Sequence, residues 1–223
     1  MQLGLGAREV LSGGEAGTVM AVFRKAAYVR MPGGLVALTT CEAPPGPIHA
    51  RGALPRAPLA AGERVTVDIA GATVWRGELR GDAAGALDVL ATAPASALAD
   101  YPSQVATAVA CLDGGDLNGT VDALAGLGPG LTPAGDDALA GILLVAADGE
   151  AAIAAAARAR TNDIARAFLH WAARGQSIEP VHRLLAGGGP AALADLLRFG
   201  HSSGADLAFG LHLGLRERIA TGA

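Results

Sequence analysis

The 223-residue chain is 51% hydrophobic but only 4% aromatic, with 17% charged residues and a formal net charge of -4; it is long enough to bury a core without disulfide or metal staples, which excludes collagen-like, disordered and mini-protein classes. Its one Lys and sixteen Arg are scattered without a basic run, so the footprint of a nucleic-acid binder is missing. The apolar run 138–147 stops at Asp148, well short of the ~20 residues that span a bilayer, and no transmembrane helix is expected.

The start of the chain lacks the basic flank and apolar block of a secretory signal, so a cytoplasmic location is expected. Residues 1–95 read as a β-rich domain, a small barrel-like or sandwich unit. Short β-branched and aliphatic runs at 18–24, 27–31, 35–40, 64–69, 73–79 and 87–91 alternate there with Gly and Pro. Pro32, Gly33 and Gly34 make a hairpin turn between two of these strands. Five prolines between residues 42 and 58 argue against a central strand and predict a long loop or an edge. Cys41 and Cys111 are isolated in sequence, which suits a reducing compartment and two packed thiols.

From about Ser96 the apolar spacing becomes helical, and residues 96–223 read as an all-α domain, giving an α+β fold class for the whole. Leu117, Val121 and Leu124 share one helix face; Ile164, Phe168 and Trp171 share another, behind Thr161 as N-cap. Further helices are predicted at 178–186, 190–199 and 203–219. Residues 81–157 hold ten acids and no Lys or Arg. Asp113, Asp116 and Asp122 fit solvated helix faces there, whereas Asp136 and Asp137 sit in a different neighbourhood.

That neighbourhood is Gly-Leu-Gly-Pro-Gly-Leu-Thr-Pro-Ala-Gly-Asp-Asp at 126–137, running into the apolar helix 138–147. Gly126 closes the preceding helix, and Gly128 and Gly130 free the loop to turn amides inward. Thr132 and Pro133 match an N-cap and a first helical position. Exposed N–H groups at a helix start suit an anion, yet two carboxylates follow at once and no base lies within twenty residues. The charges are reconciled by a divalent cation such as Mg2+, by a ligand that offers N–H groups to the acids, or by an Arg from elsewhere in the fold. A purely structural role, complementing the helix dipole, accounts for one acid more easily than for two.

A fainter copy lies downstream. Gly135, Asp137 and Gly141 coincide with Gly204, Asp206 and Gly210 when 134–144 is placed over 203–213. Asp and Gly four apart share a helix face, so two helices crossing at these glycines would bring Asp137 and Asp206 together. Ser202 or Ser203 caps the second helix, and His201 is the histidine best placed to touch a ligand. His49, His170, His182 and His212 read as surface or helix-face residues, and no HxH, HExxH or Cys/His cluster suggests zinc.

The runs GLGPGLTPAGDDALAGIL (126–143), GHSSGADLAFGLHLGL (200–215) and TVMAVFRKAAYVR (18–30) resemble the AllH-type subunit of oxamate carbamoyltransferase. The resemblance implies a subunit of a multi-subunit enzyme of allantoin breakdown, interconverting oxalurate and phosphate with oxamate and carbamoyl phosphate. It implies partner subunits and a small-molecule substrate, with carbamoyl phosphate passing to a carbamate kinase. Placed on this chain, the ligand N–H groups would face Asp136, Asp137 or Asp206, and loop amides near Gly128 and Gly130 would hold an oxyanion. Thr132, Gly135, His201, Ser202 and Ser203 complete the candidate ligand contacts.

Two other readings stand beside this one. In the first, Asp136, Asp137 and Asp206 hold Mg2+ in a stand-alone hydrolase or phosphotransferase, with Thr132 assisting. In the second, the chain is a non-catalytic ligand-sensing or assembly subunit.

Overall fold

The computed structural model describes residues 1–79, 81 and 83–222. By the clustering of its contacts the chain divides into two compact units, Met1–Gly77 and Glu78–Ala223.

The first unit opens with strand β1 (Gln2–Gly4) and helix α1 (Leu5–Leu11), followed by β2 (Gly17–Val22), β3 (Ala26–Met31), β4 (Gly34–Thr39), β5 (His49–Arg51), β6 (Arg64–Val65) and β7 (Thr73–Trp75). The strands form one sheet in the order β6-β2-β3-β4-β5-β1-β7. Its end strands do not pair with each other among the described residues, so the unit is an open sheet and neither the closed barrel nor the two-sheet sandwich expected from the sequence. The β3–β4 hairpin turns at Pro32-Gly33, with Met31 opposite Gly34.

The proline-rich stretch departs from expectation. His49, Ala50 and Arg51 form β5 inside the sheet, parallel to β4 and antiparallel to β1. The five prolines lie on either side of this tripeptide and leave its N–H groups free to pair. Helix α1 covers the sheet through Ala7 and Leu11, which join Leu3, Val19, Val29, Val36 and Leu38 in the core.

The second unit is helical: α2 (Ala83–Leu90), a 3-10 turn (Ala97–Asp100), α3 (Pro102–Asp113), α4 (Leu117–Leu124), α5 (Ala134–Val145), α6 (Gly149–Arg158), α7 (Asp163–Ala172), α8 (Glu179–Leu185), α9 (Gly189–Leu197) and α10 (Ser203–Thr221). The strand expected at 87–91 is instead the end of α2 and the turn after it. Ala86 and Leu90, at i and i+4, are both buried in the helical core, so the apolar run follows the helical period.

At the centre lies α5, whose residues are all buried except Asp137. A helix apolar all round belongs inside a unit, and α5 is enclosed by α10, α7, α4 and α6. No described helix is long and apolar enough to cross a membrane.

Several local expectations need correction. Cys41 is exposed and Cys111 half-buried, both free, where two packed thiols were expected. His49 and His182 are buried, not surface residues: the ring of His49 meets Pro44 O, and His182 Nε2 accepts from Ser177 N–H while Nδ1 donates to Glu78 O. Burial holds both imidazoles below their ordinary range, against those backbone bonds. The acids read as solvated are exposed as expected, and each also has a partner. Asp122 pairs with Arg158 at 2.6 Å, Asp113 pairs with Arg216 at 2.7 Å, and Asp116 caps α4 through Gly119 N–H.

Candidate functional site

The candidate residues converge where α5 and α10 begin. Helix α4 ends in a left-handed Gly126, and the loop then passes Gly128 and Gly130, with φ of +105° and +95°, before α5 starts. Those backbone angles suit glycine alone, which is why the loop is so rich in it. A side chain on Gly128 would press on the Ala134 amide at 3.1 Å, whereas nothing lies near Gly130. Among the described residues no backbone carbonyl accepts from the amides of Gly128, Gly130 or Thr132. Gly135 is packed instead, donating to Leu127 O at 2.9 Å and resting on the Leu124 carbonyl.

The caps differ from the sequence expectation by one position. Pro133 is the N-cap of α5, and Thr132 lies outside the helix. Its hydroxyl meets the Ser203 hydroxyl at 3.1 Å, tying the start of α5 to the start of α10. Ser202 occupies the N-cap position of α10 without a side-chain bond, and Ser203 is the first helical residue. His201 is exposed. Asn162, not Thr161, caps α7 by accepting from Ile164 N–H and Ala165 N–H.

Helices α5 and α10 then cross on glycine. A Cβ on Gly141 would collide with the Leu211 amide and lie 2.6 Å from Leu207 O; one on Gly210 would collide with Ala138 O and lie 2.7 Å from Ala138 Cα. The contacts are reciprocal, because Ala138 follows Asp137 as Leu207 follows Asp206. The repetition extends to the helix starts, where Gly135 rests on the Leu124 carbonyl at the end of α4 and Gly204 on the Leu196 carbonyl near the end of α9. Each half is thus a helix, a turn and a second helix with Gly, Asp and Gly at matching positions.

The three acids have different surroundings. Asp136 is 2% exposed and fully engaged: Oδ1 accepts from Gly126 N–H at 3.0 Å and Oδ2 from the Thr161 hydroxyl. Burial raises its carboxyl above the usual range, and the two hydrogen bonds pull it back. Asp206 is 0% exposed; Oδ1 accepts from Ser96 Oγ at 2.6 Å and Ala97 N–H at 2.8 Å, while its buried Oδ2 has no partner among the described residues. The Oδ2 of Asp137 is likewise sealed from solvent without a partner. Burial pushes the Asp137 carboxyl well above the usual range against a hydrogen bond from Ser203, and the charges of Asp206 and then Asp136 push it further up.

Asp137 and Asp206 therefore act on each other across the two helix starts, with Ser203 and Thr132 beside them. Sequence reasoning missed Ser96 and Ala97, which orient Asp206, and the role of Thr161 toward Asp136. The run Pro94-Ala95-Ser96 carries a cap signature that points to a helical turn. Nothing in that signature points to residue 206, over a hundred positions away. No group of three His, Cys, Asp or Glu side chains among the described residues could hold a metal ion.

No curated protein and no solved structure matches the chain. The glycine-and-aspartate runs of both halves fall inside a family match, and the run at 18–30 lies outside it. Over residues 124–215, from the end of α4 through the crossing of α5 with α10, the chain matches the family described as oxamate carbamoyltransferase subunit AllH, as the resemblance of those two runs had indicated.

Proposed function

We propose that the chain is a subunit of a carbamoyltransferase that acts on oxamate or oxalurate and carbamoyl phosphate in allantoin and purine breakdown. It would bind a small ligand with amide and anionic parts where α5 and α10 begin. The observation that carries this reading is the meeting of two helix starts, with Thr132 bonded to Ser203 and the helices crossing on Gly141 and Gly210, inside the stretch that matches the AllH family.

The chemistry suits carbamoyl transfer, in which a carbamoyl carbon passes between an amide nitrogen and a phosphate oxygen. Such a transfer depends on orientation and on stabilising charge as it develops. The loop amides of Gly128, Gly130 and Thr132, which no backbone carbonyl among the described residues takes, suit an oxyanion, and carboxylate oxygens suit N–H donors. The two bound oxygens of Asp136 assign it to holding the loop, α5 and the start of α7 together. The Mg2+ alternative would have to be built on Asp137 and Asp206 with hydroxyls, a sparse set for a cation that takes six oxygens.

The test is to tag the chain in its native host, purify the assembly, and measure carbamoyl phosphate formation from oxalurate and phosphate. Activity that co-purifies with partner subunits, and is lost when this chain is removed, supports the reading. Full activity from the chain alone removes the subunit reading, and an assembly without carbamoyl transfer removes the reaction.

A further inference from the structure

Among the described residues of this unit two buried side-chain oxygens accept nothing, and they belong to the same pair of residues: Oδ2 of Asp137 and Oδ2 of Asp206. Leaving a charged acceptor buried and unpaired is costly. The charge of Asp206 adds to that cost at Asp137. Every other feature of the pair looks built. Asp206 is held by Ser96 and Ala97, Ser203 reaches Asp137, and the crossing at Gly141 and Gly210 fixes the two helices that carry them. Two acceptors held in place without a partner are suited to a donor from outside.

We infer that Asp137 and Asp206 form a clamp for the NH2 end of the ligand, one carboxylate oxygen from each half of the repeated helix-turn-helix taking one N–H hydrogen. The inference rests on the proposed ligand site and names what that site discriminates: a planar primary amide or ureido nitrogen is accepted and a carboxylate in its place is refused. An amide NH2 presents two donors in one plane, matching two acceptors on elements related by reciprocal contacts. A carboxylate presents only acceptors and would add a negative charge to two already present. The same clamp disfavours inorganic phosphate and takes the NH2 end that oxamate, oxalurate and carbamoyl phosphate share.

The first arm needs no ligand. Asp137→Asn keeps the shape and removes the charge that Asp206 opposes, so the variant melts at a higher temperature than the native chain. A lower melting temperature means that the carboxylate of Asp137 serves the fold, which overturns the clamp. The second arm is calorimetry on the full chain with oxamate, oxalate and N,N-dimethyloxamate. Oxamate binds at least 100-fold more tightly than either analogue, a ratio in keeping with sites built to pair a donor. Asp137→Asn loses most of that preference, and so does Asp206→Asn, with circular dichroism confirming that each variant is folded. Equal binding of oxalate and oxamate, or an Asp137→Asn variant that keeps the preference, overturns the clamp while leaving the ligand site standing. Mg2+ that raises the melting temperature of the native chain and not of Asp137→Asn assigns the pair to a cation and overturns it as well. Absence of binding by all three compounds overturns the clamp and the ligand site together.

Discussion

Asp136 and Asp137 are adjacent in sequence and opposite in role, because successive helical residues point about 100° apart. Asp136 turns toward Gly126 and Thr161, and its removal strands an N–H and a hydroxyl inside the unit. Asp136→Ala is expected to cost about 2–3 kcal/mol, read as a lower urea midpoint, whereas Asp137→Ala costs little. The pH dependence separates them further. In the unfolded chain the Asp137 carboxyl titrates near 3.8 and in the folded chain well above it. Its stabilising contribution is thus complete below the unfolded value and is lost as pH rises through the folded one.

His49 and His182 work in the other direction: their folded values lie below 6.5, so their contribution is present above that value and is lost as pH falls. Subtracting the Asp137→Asn stability profile from the native one cancels the histidines. The native chain should lose stability relative to the variant as pH rises toward the raised Asp137 value. A difference that stays flat with pH would mean that Asp137 titrates like an ordinary carboxyl.

Among the elements, the α5–α10 crossing is where small changes should matter most. Gly210→Ala places a methyl against the Ala138 backbone, and backbone cannot swing aside as a long side chain does. The expected loss is about 1–3 kcal/mol or more, with Gly141→Ala similar. Gly149→Ala is the matched control: it opens α6 with nothing within 4 Å of an added Cβ. It should be neutral or gain about 0.4–1 kcal/mol by restricting the unfolded chain. Thermal melts of the three variants decide the matter.

The crossing was legible in the sequence because Asp137 with Gly141 and Asp206 with Gly210 repeat one helical spacing. Strand β5 was not legible. Five prolines dominate its window, and only the sheet partners on both sides show that His49, Ala50 and Arg51 escape them. The bond from Ser96 at the 3-10 turn to Asp206 joins residues no local pattern connects.

At the level of the whole molecule, every residue of the candidate site, from Ser96 to Asp206, lies in the unit Glu78–Ala223, and so does the AllH match at 124–215. That unit has its own core around Leu139, Ile142, Leu169, Leu184, Leu196 and Leu211. A fragment from residue 78 onward is expected to unfold cooperatively and to bind oxamate as the full chain does. Loss of either property would show that residues before 78 take part. The β-to-helix change was readable from apolar spacing but set too late, at about Ser96 where helix α2 already begins at Ala83, and the openness of the sheet was not readable. Closure depends on whether the end strands meet, and β6 and β7 are too short to announce their neighbours in sequence.

The near-total burial of α5 carries a consequence for biogenesis. This helix is made long before the segment that covers its glycine face, since more than fifty residues separate Val145 from Ser203. On a ribosome the central helix must wait with an oily flank uncovered, the kind of surface on which nascent chains stick to one another. A chain stopped at Gly200 should accumulate as aggregate, and supplying 201–222 as a separate peptide should recover soluble protein.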